Sequence, residues 1–174
     1  IRTYNCGEMV GHTGAVGFDW PEAMLGAVGE CVERYCCAVY QHQQLIYGSQ
    51  LDVGAQAVGM DQFCLFSSRQ LDDANFPLPR WQPESPMHWV QGYSLLQQQP
   101  RYLPACLTYI PYFNHESLER QPDFFALAVS SGQACHTDVD AALLSGLCEV
   151  IERDAFIICW SKMLSVPKLD FSSD

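Results

Sequence analysis

The chain has 174 residues, 48% of them hydrophobic and 17% charged, which allows one sizeable core and excludes a disordered, collagen-like or coiled-coil sequence. Lys and Arg number 9 against 20 Asp and Glu, and the net charge of -11 argues against a general nucleic-acid binder and against docking on an anionic membrane. No apolar run reaches the ~18 residues of a transmembrane helix, whereas an anionic ligand stays admissible because carboxylate-held Mg2+ carries phosphates in.

The chain opens at Ile1 without an initiator Met or signal-peptide pattern and reaches Asp174 without an obvious stop, so it reads as a fragment of a longer protein. Residues 1–18 read as an irregular or strand-like, Gly-rich lead. Residues 19–40 read as a helix, with Asp19 as cap, Pro21 in the first turn and Glu22 completing a capping box. Its buried stripe is Met24, Leu25, Val28, Val32, Tyr35 and Val39. Residues 43–75 mix short strand-like runs with polar turns, and Phe76 to Met87, with four prolines, is a surface loop. Val90–Leu96 and Tyr102–Ile110 read as strands, joined by a hairpin turn at Gln97-Gln98-Gln99-Pro100. Phe124–Val129 is a continuous apolar run, as a buried strand would be, and Ser130-Ser131-Gly132 breaks it. A second helix at 138–164 follows, capped by Thr137 with Asp140 in the capping-box role and closed by Pro167. Its apolar stripe is Leu143, Leu144, Leu147, Ile151, Ala155 and Ile158.

Nine cysteines (6, 31, 36, 37, 64, 106, 135, 148 and 159) form no Cys-x-x-Cys pair and mostly lie in apolar runs, so they read as buried thiols of a reducing cytoplasm. Five histidines (12, 42, 88, 115 and 136) show no metal-ligand spacing. Trp81, Trp89, Tyr93 and Trp160 read as core or hairpin packing rather than a base-stacking platform. No Ser/His/Asp or Cys/His set is tied together by the sequence.

The two helices share a pattern. One carries Glu30-Cys31-Val32-Glu33-Arg34 and the other Glu149-Val150-Ile151-Glu152-Arg153, each preceded by Ala and small residues at the same interval. Positions i, i+3 and i+4 share a helical face, so each triad projects together, and Gly26, Ala27, Ser145 and Gly146 leave room above the carboxylates. A lone E-x-x-E-R is ordinarily a solvated face with a local salt bridge. Two matched copies point instead to a pseudo-symmetric pair around one hollow, where converging carboxylates need cations. Hard oxygen ligands suit Mg2+, and the arginines suit phosphate oxygens: an ATP–Mg2+ site without a Walker loop. Ser130-Ser131-Gly132, between a strand and a helix, is a second candidate phosphate contact. Gly14 to Gly17 matches a phosphate-cradling loop only weakly.

On these motifs the sequence resembles the YcaO superfamily, and within it the SagD-like branch. The stretch from Ser130-Ser131-Gly132-Gln133-Ala134 to Glu149-Val150-Ile151-Glu152-Arg153-Asp154-Ala155-Phe156 looks like that family's strand, turn and E-x-x-E-R-D-A-F helix, and Glu30 to Cys36 looks like its first helix. Trp89 to Leu95 with Leu103-Pro104-Ala105 looks like a hairpin of the SagD-like branch, so the resemblance runs from about 14 to 172. It implies an α+β fold in which antiparallel sheet packs with two pseudo-equivalent long helices lining an ATP cleft, with residues 1–174 a single partial domain. It also implies an ATP-dependent cyclodehydratase that phosphorylates a backbone amide oxygen, giving thiazoline or oxazoline rings in a ribosomally made bacteriocin-like precursor peptide.

The resemblance further assigns Glu30, Glu33, Glu149 and Glu152 to Mg2+, and Glu30, Arg34, Ser130, Ser131, Glu152 and Arg153 to ATP. It names no catalytic residue. As partners it implies the precursor peptide, a leader-peptide-binding protein and a second copy in a homodimer, with no nucleic acid and no membrane. The sequence departs from the family at Ala15-Val16-Gly17, where many relatives carry Gly-Lys-Gly, at Ser131, where Asn is frequent, and at His136, which replaces a common Gly. It also stops short of the family's later nucleotide contacts and its Pro-rich tail. Other YcaO chemistries stay open (thioamide or macrolactamidine formation, an accessory role in methylthiolation), as does a non-catalytic docking scaffold.

Overall fold

The computed structural model describes residues 13–63, 65–112, 125–126 and 128–168. The architecture is α+β, and the chain divides into two compact units, residues 1–33 with 130–174, and residues 34–129.

In the unit of residues 34–129, β1 (Ile46–Gly48), β2 (Met87–Ser94) and β3 (Gln99–Pro104) form an antiparallel sheet in the order β1-β2-β3, with Trp89 opposite both Ile46 and Pro104. The hairpin expected from the sequence is present, shifted: β2 begins at Met87, and Gln98, at φ 49°, closes the turn before Gln99. The second strand does not run to Ile110. It ends at Pro104, where α4 (Ala105–Thr108) starts, and the Thr108 hydroxyl donates to the Pro104 carbonyl at 3.0 Å. An apolar run of that length does not distinguish a buried strand from a buried helical turn, so hydrophobicity alone hides this switch.

Residues 43–75 carry less strand than expected. Ser49 and Ser67 open the single-turn helices α2 (Gln50–Val53) and α3 (Ser68–Leu71), each through a reciprocal capping box, with Asp52 and Gln70 respectively. Asp52 accepts from both the hydroxyl and the N–H of Ser49, which holds its carboxyl below the ordinary carboxylate range. Residues 72–86 form a loop, as the prolines require, and the Pro83 carbonyl takes the Gln50 N–H at 3.1 Å.

The core of this unit gathers Ala57, Met60, Met87, Trp89, Phe125 and Ala126, with Trp81 and Tyr102 packed against it. Trp89 is fully buried, and its indole N–H donates to the Gly48 carbonyl at 2.9 Å, so the ring fills the core without stranding its polar atom. Phe125 and Ala126 are buried as the apolar run demands, yet among the described residues of 124–129 no strand forms; Phe124 and Leu127 lie outside them. A second cluster holds Ala105, Cys106 and Tyr112 against Tyr40 and Tyr109, whose rings stack at 4.3 Å. Burial, and then the Cys37 thiol, push the Tyr109 hydroxyl pKa up.

The other unit holds the second long helix and the first long helix as far as Glu33. Helix α1 (Trp20–Ala38) is capped by Asp19, whose carboxylate accepts from the Glu22 N–H at 2.9 Å, while Glu22 reaches back to the Phe18 N–H. Helix α5 (Val139–Lys162) is capped not by Thr137 but by Asp138, which accepts from the Ala141 N–H at 2.9 Å. The His136 ring accepts the Asp138 N–H at 3.0 Å, fixing the chain so that Asp138 rather than Thr137 takes the cap. Nor does Pro167 close the helix: Met163, in the left-handed region, ends it four residues earlier.

Three expectations of burial fail. The α1 stripe from Met24 to Val39 is 46–74% exposed, and the leucines and isoleucines of the α5 stripe are 45–62% exposed, with Ala155 exposed as well. Amphipathic periodicity demands a cover, and the described residues do not supply one. Among the described cysteines, only Cys106 is buried, and Cys6 and Cys64 lie outside the description. Most of the others sit on these uncovered helices and share their exposure. Tyr93 and Trp160 are exposed too, the latter stacked only on Phe156 from one turn earlier. No described helix is long and apolar enough to cross a membrane.

Candidate functional site

Each E-x-x-E-R helix has a glycine-bearing segment fastened to it in the same way. On α5, the residue one turn before the motif is Gly146, the helix's one buried position among those described. An added Cβ there would lie 2.6 Å from the Gly132 carbonyl oxygen, so only glycine lets the Ser130-Ser131-Gly132 turn lie so close. Gly132 itself has φ 88°, which also favours glycine, and the turn closes with the Gln133 N–H on the Ser130 carbonyl at 3.0 Å. The Gly132 N–H then donates to Glu149 Oε2 at 2.9 Å across 17 residues of sequence. On α1, Gly26 stands one turn before Glu30, and a Cβ there would meet the Ala15 methyl at 2.7 Å. The Gly14 N–H donates to Glu30 Oε2 at 2.7 Å across 16 residues. The room foreseen above the carboxylates is thus taken up by the preceding segment, through the Gly132 carbonyl on α5 and the Ala15 methyl on α1.

The motif side chains differ in exposure. Glu30, Glu33 and Glu149 are half-buried, and Arg34, Glu152 and Arg153 are exposed. Arg153 Nε lies 2.8 Å from Glu149 Oε1, an i,i+4 pair with the carboxylate on the N-terminal side, the favourable order. Both oxygens of Glu149 are therefore engaged, one by the turn and one by the arginine. Glu152 has no hydrogen-bond or ion-pair partner among the described residues. Ser130 and Ser131 are half-buried within the turn that Glu149 holds. Sequence reasoning identified the carboxylates but not the amides of Gly14 and Gly132 as their partners; the available signal was a glycine at nearly equal distance before each motif.

Among the described residues, no three His, Cys, Asp or Glu side chains converge closely enough to hold a metal by themselves. The four glutamates are two pairs, one on each helix. That donor set still fits Mg2+, which keeps waters and binds through one or two carboxylates together with phosphate oxygens, rather than in an all-protein cage. An open apolar hollow of about 830 Å³ at the end of α5, lined by Phe156, Trp160, Met163 and Leu164 among others, carries no acidic side chain and is no part of this arrangement.

A sequence profile described as YcaO cyclodehydratase, ATP- and Mg2+-binding, matches residues 14–174. Among solved structures, a heterocyclase in complex with substrate and cofactor is similar at 26% identity and a TM-score of 0.75, over 92% of this chain and 22% of its own. The heterocyclase TruD is similar at 25% identity and a TM-score of 0.68, over 86% of this chain and 23% of its own. The YcaO protein of Methanopyrus kandleri, bound with AMPPCP and Mg2+, shares the fold at 22% identity and a TM-score of 0.63, over 93% of this chain and 36% of its own. The chain therefore spans between about a fifth and a third of the length of these structures. No curated protein matches it.

Proposed function

Because the chain belongs to the YcaO cyclodehydratase family, we propose that it is the Mg2+–ATP-binding part of a peptide cyclodehydratase of the SagD-like, azoline-forming kind. The observation that carries this reading is the repeated arrangement within the matched region, in which a glycine-bearing segment is clasped by the first glutamate of an E-x-x-E-R helix, once at Gly14 and Glu30 and again at Gly132 and Glu149. It places main-chain amides and small side chains beside acidic and basic groups, the combination that a metal-bound polyphosphate needs.

In this reading residues 1–174 are one partial domain. Glu30, Glu33, Glu149 and Glu152 form the acidic set for the Mg2+–nucleotide, Arg34 and Arg153 serve its phosphates, and Ser130 and Ser131 contact it from the turn. The substrate is a ribosomally made precursor peptide in the cytoplasm, presented by a leader-binding protein, with the enzyme a homodimer. A Cys, Ser or Thr side chain of the peptide adds to the preceding carbonyl carbon. The resulting oxygen takes the γ-phosphoryl group of ATP, and inorganic phosphate leaves as the ring's double bond forms. An amide oxygen is a poor leaving group, and phosphorylation removes that obstacle; one water is lost per ring and one ATP becomes ADP.

The test incubates the full chain with Mg2+–ATP and candidate precursor peptides and follows peptide mass and phosphate. Loss of one water per ring with matching phosphate release supports cyclodehydration. ATP turnover without that mass loss points to thioamide, macrolactamidine or methylthiolation-linked chemistry. A docking scaffold is the second reading, favoured by Ala15-Val16-Gly17, which supplies no lysine to the first segment. Absence of nucleotide binding, unchanged by Glu149→Ala, would establish it.

A further inference from the structure

We infer that the hollow between β1 and α2 is a binding site for a cationic side chain, an arginine or lysine carried on a peptide, with Asp52 as its counter-charge. The hollow measures about 270 Å³ and is lined by Ile46, Gly48, Asp52, Val53, Gln56 and Tyr102, among others. Whole small-molecule ligands occupy pockets of about 300–1,000 Å³, so a space of this size fits one side chain. It lies within the unit of residues 34–129 and includes no residue of either E-x-x-E-R motif. The cation site itself does not depend on the nucleotide reading; placing its ligand on the precursor peptide rests on the peptide-substrate reading above.

The lining is two-sided. Ile46 and Val53 supply apolar wall, and Asp52, Gln56 and Tyr102 supply a carboxylate, an amide and a phenol. That combination suits arginine and lysine, which lay an aliphatic stem on apolar surface and keep a charged head among acceptors. Asp52 Oδ2 accepts the Ser49 N–H at 2.8 Å and the Ser49 hydroxyl at 2.6 Å, bonds that lower the carboxyl pKa and keep it ionised. Oδ1 has no partner among the described residues, and no described Lys or Arg pairs with Asp52. Gly48 leaves bare main chain beside the carboxylate, since an added Cβ would stand 3.4 Å from Oδ2. The Gln56 amide and the Tyr102 hydroxyl carry no hydrogen bond among the described residues. Arg101 does not supply the missing cation: it donates to the Gln56 and Ala57 carbonyls, each at 3.1 Å, and to Gln97 Oε1 at 2.6 Å. The hollow therefore offers one fixed negative charge, idle acceptors and an apolar wall, within a chain whose net charge of -11 draws cationic partners.

The test titrates the isotope-labelled full chain with three probes: acetyl-Gly-Arg-Gly-amide, the same peptide with citrulline for arginine, and methylguanidinium, which is the head without the stem. NMR shifts of the Gly48, Asp52 and Gln56 amides read occupancy. The arginine peptide should bind at least about fivefold tighter than the citrulline peptide, because a charge-assisted bond replaces a neutral one, and about threefold tighter than methylguanidinium, because its stem covers Ile46 and Val53. Asp52→Asn should erase the preference for arginine over citrulline. Asp52 also caps α2, so Gln56→Lys is the second variant: it breaks no described side-chain bond, places a competing cation at the hollow, and should weaken the arginine peptide by about tenfold. Equal binding of the arginine and citrulline peptides, shifts confined to other residues, or an affinity that Gln56→Lys leaves unchanged overturns the site. Methylguanidinium binding as tightly as the peptide overturns the role of the stem. A chain that binds the arginine peptide here but closes no rings refutes the proposed enzyme and leaves this site standing; one that closes rings while binding both peptides alike refutes the site alone.

Discussion

Replacing Gly146 by alanine sets two effects of opposite sign against each other. In an ordinary helix interior the change is stabilising by about 1 kcal/mol, because alanine has less backbone freedom to lose. Here the new Cβ would stand 2.6 Å from the Gly132 carbonyl oxygen and 3.3 Å from its carbon, where ordinary contact begins near 3.4 Å. The turn must therefore retreat by roughly 0.8 Å, the difference between 3.4 and 2.6 Å. Forcing a methyl into a filled space costs about 1–3 kcal/mol. A turn that moves away also gives up the Gly132–Glu149 bond, worth about 1 kcal/mol for a half-exposed pair.

The sum is a destabilisation of about 2–4 kcal/mol, offset by about 1 kcal/mol of helix propensity, so Gly146→Ala should cost about 1–3 kcal/mol net. Gly29→Ala is the control, since an added Cβ there meets nothing within 4 Å; it should gain about 1 kcal/mol. Urea unfolding followed by circular dichroism reads both, and each kcal/mol moves Tm by roughly 2–4 °C in a chain of this size. If Gly146→Ala stabilises as Gly29→Ala does, the turn is not seated on α5 and the clasp is wrong.

Two further outcomes follow from the caps. Asp138→Ala should cost α5 about 1 kcal/mol and loosen its first turn, while Thr137→Ala leaves both unchanged, as read by thermal unfolding and by exchange of the Ala141 amide. Asp52 has its carboxyl pKa lowered by its bonds to Ser49, so its contribution to stability is present above the ordinary value of 3.8 and is lost as pH falls through the lower, folded value; Ser49→Ala should return Asp52 toward 3.8 in an NMR titration and remove that part of the acid sensitivity.

The long helices were legible because their signals are local: Asp19 and Pro21 open α1, and the spacing of apolar residues runs through both. What was not legible is what each side chain meets. The stripes of α1 and α5 announce a buried face, but a periodic pattern says only that cover is wanted, not which residues provide it. Thr137 and Asp138 are both good caps, and the choice between them depends on where the His136 ring lies. In the run from Tyr102 to Ile110, hydrophobicity rises where the chain is inside, whether as strand or helical turn, and only Pro104 marks the change. In the candidate site, the carboxylates and the small residues beside them stand out because the pattern occurs twice. Their acceptance of the Gly14 and Gly132 amides does not stand out, because every residue but proline carries an N–H and composition cannot say which one is used.

The clasp grips peptide N–H groups and not side chains, and this has a consequence for how such a scaffold diverges. The segments ahead of the two motifs can exchange their substituents without loosening their attachment, provided the glycines under them stay glycine. Val16 and Ser130-Ser131 are therefore places where side chains can drift during evolution while the framework that carries them is inherited intact.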